Sequence, residues 1–153
     1  MLKLVSLLLT TLVVASAVDL PSKKYLNLAA IKTMVAAAEQ EAQKRNAQVT
    51  ICVVDESGNL LYLQKADGAG LNTITFAQKK ARHAAIYKQP SKAGMDRLKA
   101  GNPEVMSFPE YFPVQGGLPI KIDNVTIGGI ACSGAASEVD EAIAQAGIDA
   151  LMK

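Results

Sequence analysis

Apolar and polar positions along the chain follow two periods, and the changes from one to the other mark its elements. Leu28, Ile31, Val35, Ala38 and Ala42 recur at intervals of three and four, with Lys32, Glu39 and Gln43 facing outward and Asn27 placed to cap the helix they predict. A nearly continuous apolar run over 48–56 reads as a strand, Glu56-Ser57-Gly58-Asn59 as a turn, and 60–66 as the returning strand of a hairpin. Helical spacing resumes at Asn72 or Thr73, either of which can cap it, and continues to about Gln89, where Pro90 stops it; Ile74, Ala77, Ala81 and Ala84 form its core stripe. A shorter helix ends at Gly101. Two further strands, 117–123 and 125–134, meet at Asp123-Asn124, and the second carries Gly128 and Gly129. Ser137 and Asp140 then have the form of a capping box. They open a last helix with an inner stripe of Val139, Ile143, Ala146 and Ala150. The strand glycines, with Ala and Gly147 beside that stripe, predict a C-terminal helix lying close on the sheet.

Length and composition narrow this to one packed α/β domain: 153 residues, half of them hydrophobic, suffice for one core and not for two ordinary domains. The first residues stand apart. Lys3, an apolar run from Leu4 to Val14 and Ala15-Ser16-Ala17 have the form of a signal peptide, 1–17, so the mature domain is expected to be 18–153, exported and without stable membrane insertion after cleavage. A formal charge of +2 gives no concentrated basic face and no reason to expect nucleic acid. Cys52 and Cys132 read as buried thiols, with a single bridge open to them if their strands are neighbours. Asp67-Gly68-Ala69-Gly70 is not a phosphate-binding fingerprint, so no nucleotide is implied. The absence of C-x-x-C-H excludes covalent c-type haem. Asp55 reads as a turn residue, no acid pair has general acid/base spacing on one element, and no G-x-S-x-G elbow occurs, which argues against an enzyme.

Candidate chemistry lies on the second face of the helix that starts near residue 72. Phe76, Lys80, His83 and Tyr87 share that face, flanked by Lys79 and Ile86, and such a mixed basic and apolar face requires cover from a subunit, a ligand or the next segment. His83 is the only histidine and a candidate metal ligand, to haem iron, with Lys79, Lys80 and Arg82 available to propionates; the competing reading is an interface or surface histidine. The segment 102–119 sets Pro103, Pro109, Pro113 and Pro119 around Met106, Phe108, Tyr111 and Phe112. Its aromatics either plug the core or a subunit contact, the preferred reading, or form a lid over a flat apolar ligand, for which Met106 and Tyr111 are axial or contact candidates.

Three blocks in order, VTICVVDESGNLLYLQKADGAG, FAQKKARHAA and GGLPIKIDNVTIGGIACSGAASEVDEAIAQAG, resemble the haem-binding HbpS/GlcG-like family, which also supplies the C-terminal domain of PduO-type corrinoid adenosyltransferases. Ala131-Cys132-Ser133-Gly134 stands where members typically read closer to G-V-S-G. The resemblance implies a profilin-like three-layer α/β/α fold with a five-stranded antiparallel sheet, assembly into homo-oligomers, and haem or a related tetrapyrrole as ligand. In exported members it implies haem storage, sensing or degradation. The expectation is therefore an exported haem-binding protein, periplasmic or extracellular, with Lys79, Lys80, His83, Tyr87, Met106, Phe108 and Tyr111 as binding candidates. The alternatives are a non-haem oligomeric structural or sensor protein and a corrinoid-related small-molecule binder.

Overall fold

A computed structural model describes residues 18–152; the expected signal segment, 1–17, lies outside them. The elements run α1 (Leu28–Lys44), β1 (Thr50–Asp55), β2 (Leu60–Lys65), α2 (Thr73–Tyr87), α3 (Ser91–Lys99), a 3-10 turn at Pro103–Ser107, β3 (Gly117–Ile122), β4 (Val125–Ser133) and α4 (Ser137–Leu151). The four strands form one sheet in the order β2-β1-β4-β3, every neighbouring pair antiparallel. Among the described residues there is no fifth strand, which corrects the five expected from the family resemblance. The order arises because each hairpin turns tightly, at 56–59 and at Asp123-Asn124, so β1 and β4 are left to pair in the centre. Asp123 and Asn124 both take positive φ, 50° and 64°, the backbone of a two-residue hairpin turn. Among the described residues no helix is long and apolar enough to cross a membrane.

Helices cover both faces of the sheet, and the two layers are built differently. On one face Met34, Ile143 and Ala144 from α1 and α4 pack on Ile51, Val53, Ile120, Ile130 and Cys132. On the other, Ala77, Ala81 and Ala85 of α2 meet Cys52, Val54 and Ala131. The alanine face lets α2 approach until its backbone touches the sheet: a Cβ on Gly129 would stand 2.4 Å from the Ala81 carbonyl oxygen, and one on Gly117 2.4 Å from that of Lys80. Gly129 and Gly117 therefore serve α2 rather than the C-terminal helix, whereas Gly128 makes room for Leu26 and the Val54 carbonyl. That helix achieves its own close approach through Gly147, whose missing Cβ would lie 3.0 Å from both the Met34 carbonyl oxygen and Ile130 Cδ1.

Local signals were met in part. Asn27 caps α1, its Oδ1 accepting the Ala30 N–H at 2.8 Å, although Leu28 turns out to solvent. Ile74 is likewise exposed, and α2 buries Thr73, Lys80 and His83 beside its alanines. The capping box of α4 does not form: Ala136 occupies the cap, and Asp140 is buried on the inner face with Ile143, Ala144 and Gly147. Asp55 is a turn residue. Its Oδ1 accepts the N–H groups of Ser57 and Asn59, at 2.9 and 2.8 Å, and its Oδ2 the Asn59 side chain at 3.0 Å. Burial alone would raise its carboxyl, but these hydrogen bonds outweigh it and hold it below the ordinary value. Cys52 faces Ala131 and Cys132 faces Ile51 across the β1–β4 ladder, so the two thiols project from opposite faces and stay free. Burial pushes the Cys52 thiol up to about 12 and raises Cys132 further, which leaves neither reactive.

Candidate functional site

The segment after α2 folds back over it and seals the histidine face. His83 is fully buried, its Nδ1 accepting the Phe112 N–H at 2.9 Å. Its ring lies 4.6 Å from that of Tyr111 and 5.0 Å from that of Tyr87, and the two tyrosines meet edge-on at 5.0 Å. Phe108 closes the group, 5.9 Å from Tyr111 at 90°. Burial lowers the His83 pKa from its ordinary value to about 4, so the imidazole is neutral at pH 7. Because Nδ1 accepts, the hydrogen-bond network places the ring proton on Nε2. Among the described residues Nε2 has no partner, and neither has the buried Tyr111 hydroxyl. Both residues lie against Gly94 of α3: a Cβ there would come within 3.0 Å of the Tyr111 oxygen, 3.1 Å of His83 Cε1 and 2.8 Å of Pro113 Cβ. The glycine leaves the room the two rings occupy.

Few bonds hold this flap, residues 103–114, to the rest. The Tyr87 hydroxyl donates to the Pro109 carbonyl at 2.5 Å, and Arg82 Nε donates to Glu110 at 2.9 Å. That hydrogen bond keeps the Glu110 carboxyl low and the guanidinium high. At the base of the flap the Ser91 hydroxyl donates to the Val114 carbonyl at 2.6 Å and accepts the Gly117 N–H at 2.9 Å. Of the segment's aromatics only Tyr111 plugs inward, with Val105 and Pro113 beside it; Phe112 is half-buried, and Met106 and Phe108 stay exposed, at 53% and 42%. Lys79 lies at the rim, its Nζ 5.4 Å from the Phe112 centroid, a cation over a ring that also meets Phe76 edge-on at 5.4 Å.

The candidates thus divide. His83, Tyr87, Phe108 and Tyr111 form one cluster, with Lys79 at its edge and Met106 on its outer surface. Lys80 is elsewhere: its ammonium is buried between α2, β4 and α4, 2.8 Å from Asp140 Oδ2 and 3.0 Å from the Cys132 carbonyl oxygen. Arg82 is committed to Glu110 and to the Gly58 carbonyl, so that among the described residues Lys79 is the cation of the three proposed for propionates that makes no ion pair. Asp140 was missed because it was assigned to a cap. Phasing α4 on Gly147 would have set Asp140, Ile143 and Gly147 on one stripe and flagged a buried acid in need of a cation. Gly94, the one glycine inside α3, was the available signal for the space beside His83.

The profile of the family described as "Haem degrading protein HbpS-like" matches residues 26–149. Protein GlcG of Escherichia coli strain K12 is 30% identical over 112 residues, which span 73% of this chain and 84% of GlcG. The fold superposes on a double mutant of Streptomyces reticuli HbpS with a TM-score of 0.80 at 31% identity, covering 92% of this chain and 96% of that one. It superposes on a PduOC:haem complex with a TM-score of 0.77 at 27% identity, covering 83% and 95%. A profile match over nearly the whole described domain, with the same helices-on-both-faces architecture, places the chain in the HbpS-like family.

Proposed function

We propose that the protein binds haem on the α2 side of the sheet, at the flap formed by residues 103–114. The observation that carries this reading is the buried His83 imidazole, walled by Tyr87 and Tyr111, with its Nε2 without a partner among the described residues beneath the flap. In the closed arrangement His83 does not fit iron, because Nδ1 is engaged by Phe112 and Nε2 carries the proton. Ligation by this residue requires the Phe112 contact to break, which frees Nδ1 to hold the proton and Nε2 to offer its lone pair. The rim fits haem as it stands: exposed Met106 and Phe108 present apolar surface, and Lys79 presents a cation suited to a propionate. Haem, when bound, supplies a redox-active iron; the chain's own residues hold the macrocycle, exclude water and set the proton on the imidazole.

The PduOC:haem complex supports the ligand class, and the HbpS-like relationship supports the same chemistry here. The reading extends to an exported protein, on the strength of the signal-like segment 1–17, and to a homo-oligomer, which would cover apolar side chains such as Leu71, 94% exposed. Hemin titrated into the purified protein is expected to give a saturating Soret band whose position shifts in His83→Ala. Met106→Ala with Phe108→Ala is expected to weaken binding at least about tenfold, since each such side chain contributes roughly 1.5–3 kcal/mol when buried. No spectral change with the wild type rejects haem binding; an unshifted band in His83→Ala rejects this histidine as the ligand.

A further inference from the structure

The flap that seals His83 is one hydrogen-bonded piece with one fixed end. Backbone bonds close its own turns, from the N–H of Phe108 to Val105, of Tyr111 to Phe108 and of Val114 to Phe112, at 3.2, 3.2 and 2.8 Å. The Ser91 hydroxyl, bonded to Val114 and Gly117, anchors its C-terminal end. Its N-terminal end follows Gly101, at φ +86°, where a Cβ would meet nothing within 4 Å. Between the two ends three side chains of α2 bond the flap: Tyr87 to the Pro109 carbonyl, Arg82 to Glu110, and His83 to the Phe112 N–H. Among the described residues Arg82–Glu110 is the flap's one ion pair. Two features oppose closure. Glu110 carries that pair at φ +59°, a backbone that a residue other than glycine adopts at a cost. The Tyr111 hydroxyl and His83 Nε2 are buried in the closed arrangement and find no partner among the described residues, which costs free energy that opening relieves.

We propose that the flap is a latched lid: Arg82 and Glu110 hold it shut, and a ligand reaches His83 only after that pair separates and the flap swings about its Ser91 anchor. The identity of the ligand rests on the haem reading; the latch itself does not. In the closed state neither ring nitrogen is open to an incoming group, since Nδ1 accepts from Phe112 and Nε2 carries the proton. The flap therefore competes with the ligand for one imidazole, and uptake scales with the fraction of molecules in which the flap is open. The latch is suited to adjust that fraction. Its side chains are 33% and 44% exposed, so the pair lies where an ionic contact is modest and salt weakens it. Arg82 also donates to the Gly58 carbonyl at 2.5 Å, which keeps the guanidinium with α2 and the β1–β2 turn while Glu110 leaves with the flap.

Diethyl pyrocarbonate probes the latch without hemin, because it acylates an imidazole nitrogen through its lone pair and His83 is the only histidine. Acylation of the full chain is expected to be slow beside that of the urea-unfolded chain. It is expected to run about two- to fivefold faster in Glu110→Asn, whose side chain tolerates positive φ but is too short and uncharged to hold Arg82. Salt at about 1 M, where the screening length is about 3 Å, is expected to give the wild type the same gain and the variant none. Amide exchange in β1 and β4 stays at the wild-type rate in the variant, which separates lid opening from unfolding. Stopped-flow hemin uptake, followed at the Soret band, is then expected to speed up by the same factor, since both rates scale with the open fraction. Equal acylation of wild type and variant, or wild-type acylation as fast as in the unfolded chain, overturns the latch. Faster acylation with unchanged hemin uptake overturns the gate and assigns haem to another face. Faster acylation with no Soret band in either protein bears out the lid and rejects haem as what it admits.

Discussion

His83 carries two consequences of burial at once. Its neutral ring is worth more to the fold than its charged ring, since protonation would bury a cation against tyrosines with only the Phe112 N–H, a donor, facing Nδ1. Arg82, beside it in sequence on α2, and Glu110, beside Tyr111 in the flap, are paired with one another. The unfolded chain takes up a proton near pH 6.5 and the native chain only near pH 4, so the unfolded state binds more protons between those values. Stability therefore falls as pH drops through that window, by up to about 3 kcal/mol for this residue. Urea unfolding between pH 7 and pH 4 is expected to show that decline in the wild type and a shallower one in His83→Gln. Equal slopes in the two proteins would show that the histidine does not sense pH in this way. The sequence identified His83 through its uniqueness and its helical face; it could not show that the residue is sealed, because the cover comes from a segment about 29 positions away with no regular period.

At the scale of elements, what was legible followed periodicity and what was not followed contact between elements. The β1–β2 and β3–β4 hairpins and the spans of α1 and α2 are encoded in local spacing and turn residues, and they form as expected. The phase of α4 was misread because its stripe is Asp140, Ile143 and Gly147, in which an acid and a glycine occupy positions that an apolar pattern overlooks. The fifth strand came from family resemblance alone and had no counterpart in the residues. Gly94 shows how an element is tuned by a neighbour: α3 can lie over His83 and Tyr111 only without a side chain there. Gly94→Ala is expected to push the flap outward rather than unfold the domain. Overpacking of this kind costs about 1–3 kcal/mol, which corresponds to amide exchange at Phe112 roughly five- to 150-fold faster, with exchange in β1 and β4 unchanged. Unaltered exchange at Phe112 would mean the flap is held by something other than this contact.

The whole molecule is a sheet whose two faces are covered and whose two edges, β2 and β3, are not paired among the described residues. The edges differ. β3 carries Pro119, which cannot donate to a further strand, whereas β2 carries Leu60 and Leu61 at 51% and 38% exposure. The loop from β2 into α2 adds Leu71 at 94%, followed by Ile74 and Phe76 on the first turns of α2. A single exposed leucine is ordinary, but apolar side chains on an open strand and on the helix start that follows it are the composition of a contact surface. If the homo-oligomer proposed above uses this side, light scattering on the wild type is expected to give a mass of several chains, and Leu71→Lys with Leu61→Lys to give a monomer. Both positions are exposed, so the isolated fold should keep its far-ultraviolet spectrum and its amide-exchange pattern in the β1–β4 core. A wild type that runs as a monomer at micromolar concentration rejects the assembly, and a charged double variant of unchanged mass places the contact on another face. Hemin titration of that monomer then separates the remaining possibilities: an unchanged Soret band assigns the haem site to one chain, and a lost band assigns part of it to the neighbouring copy.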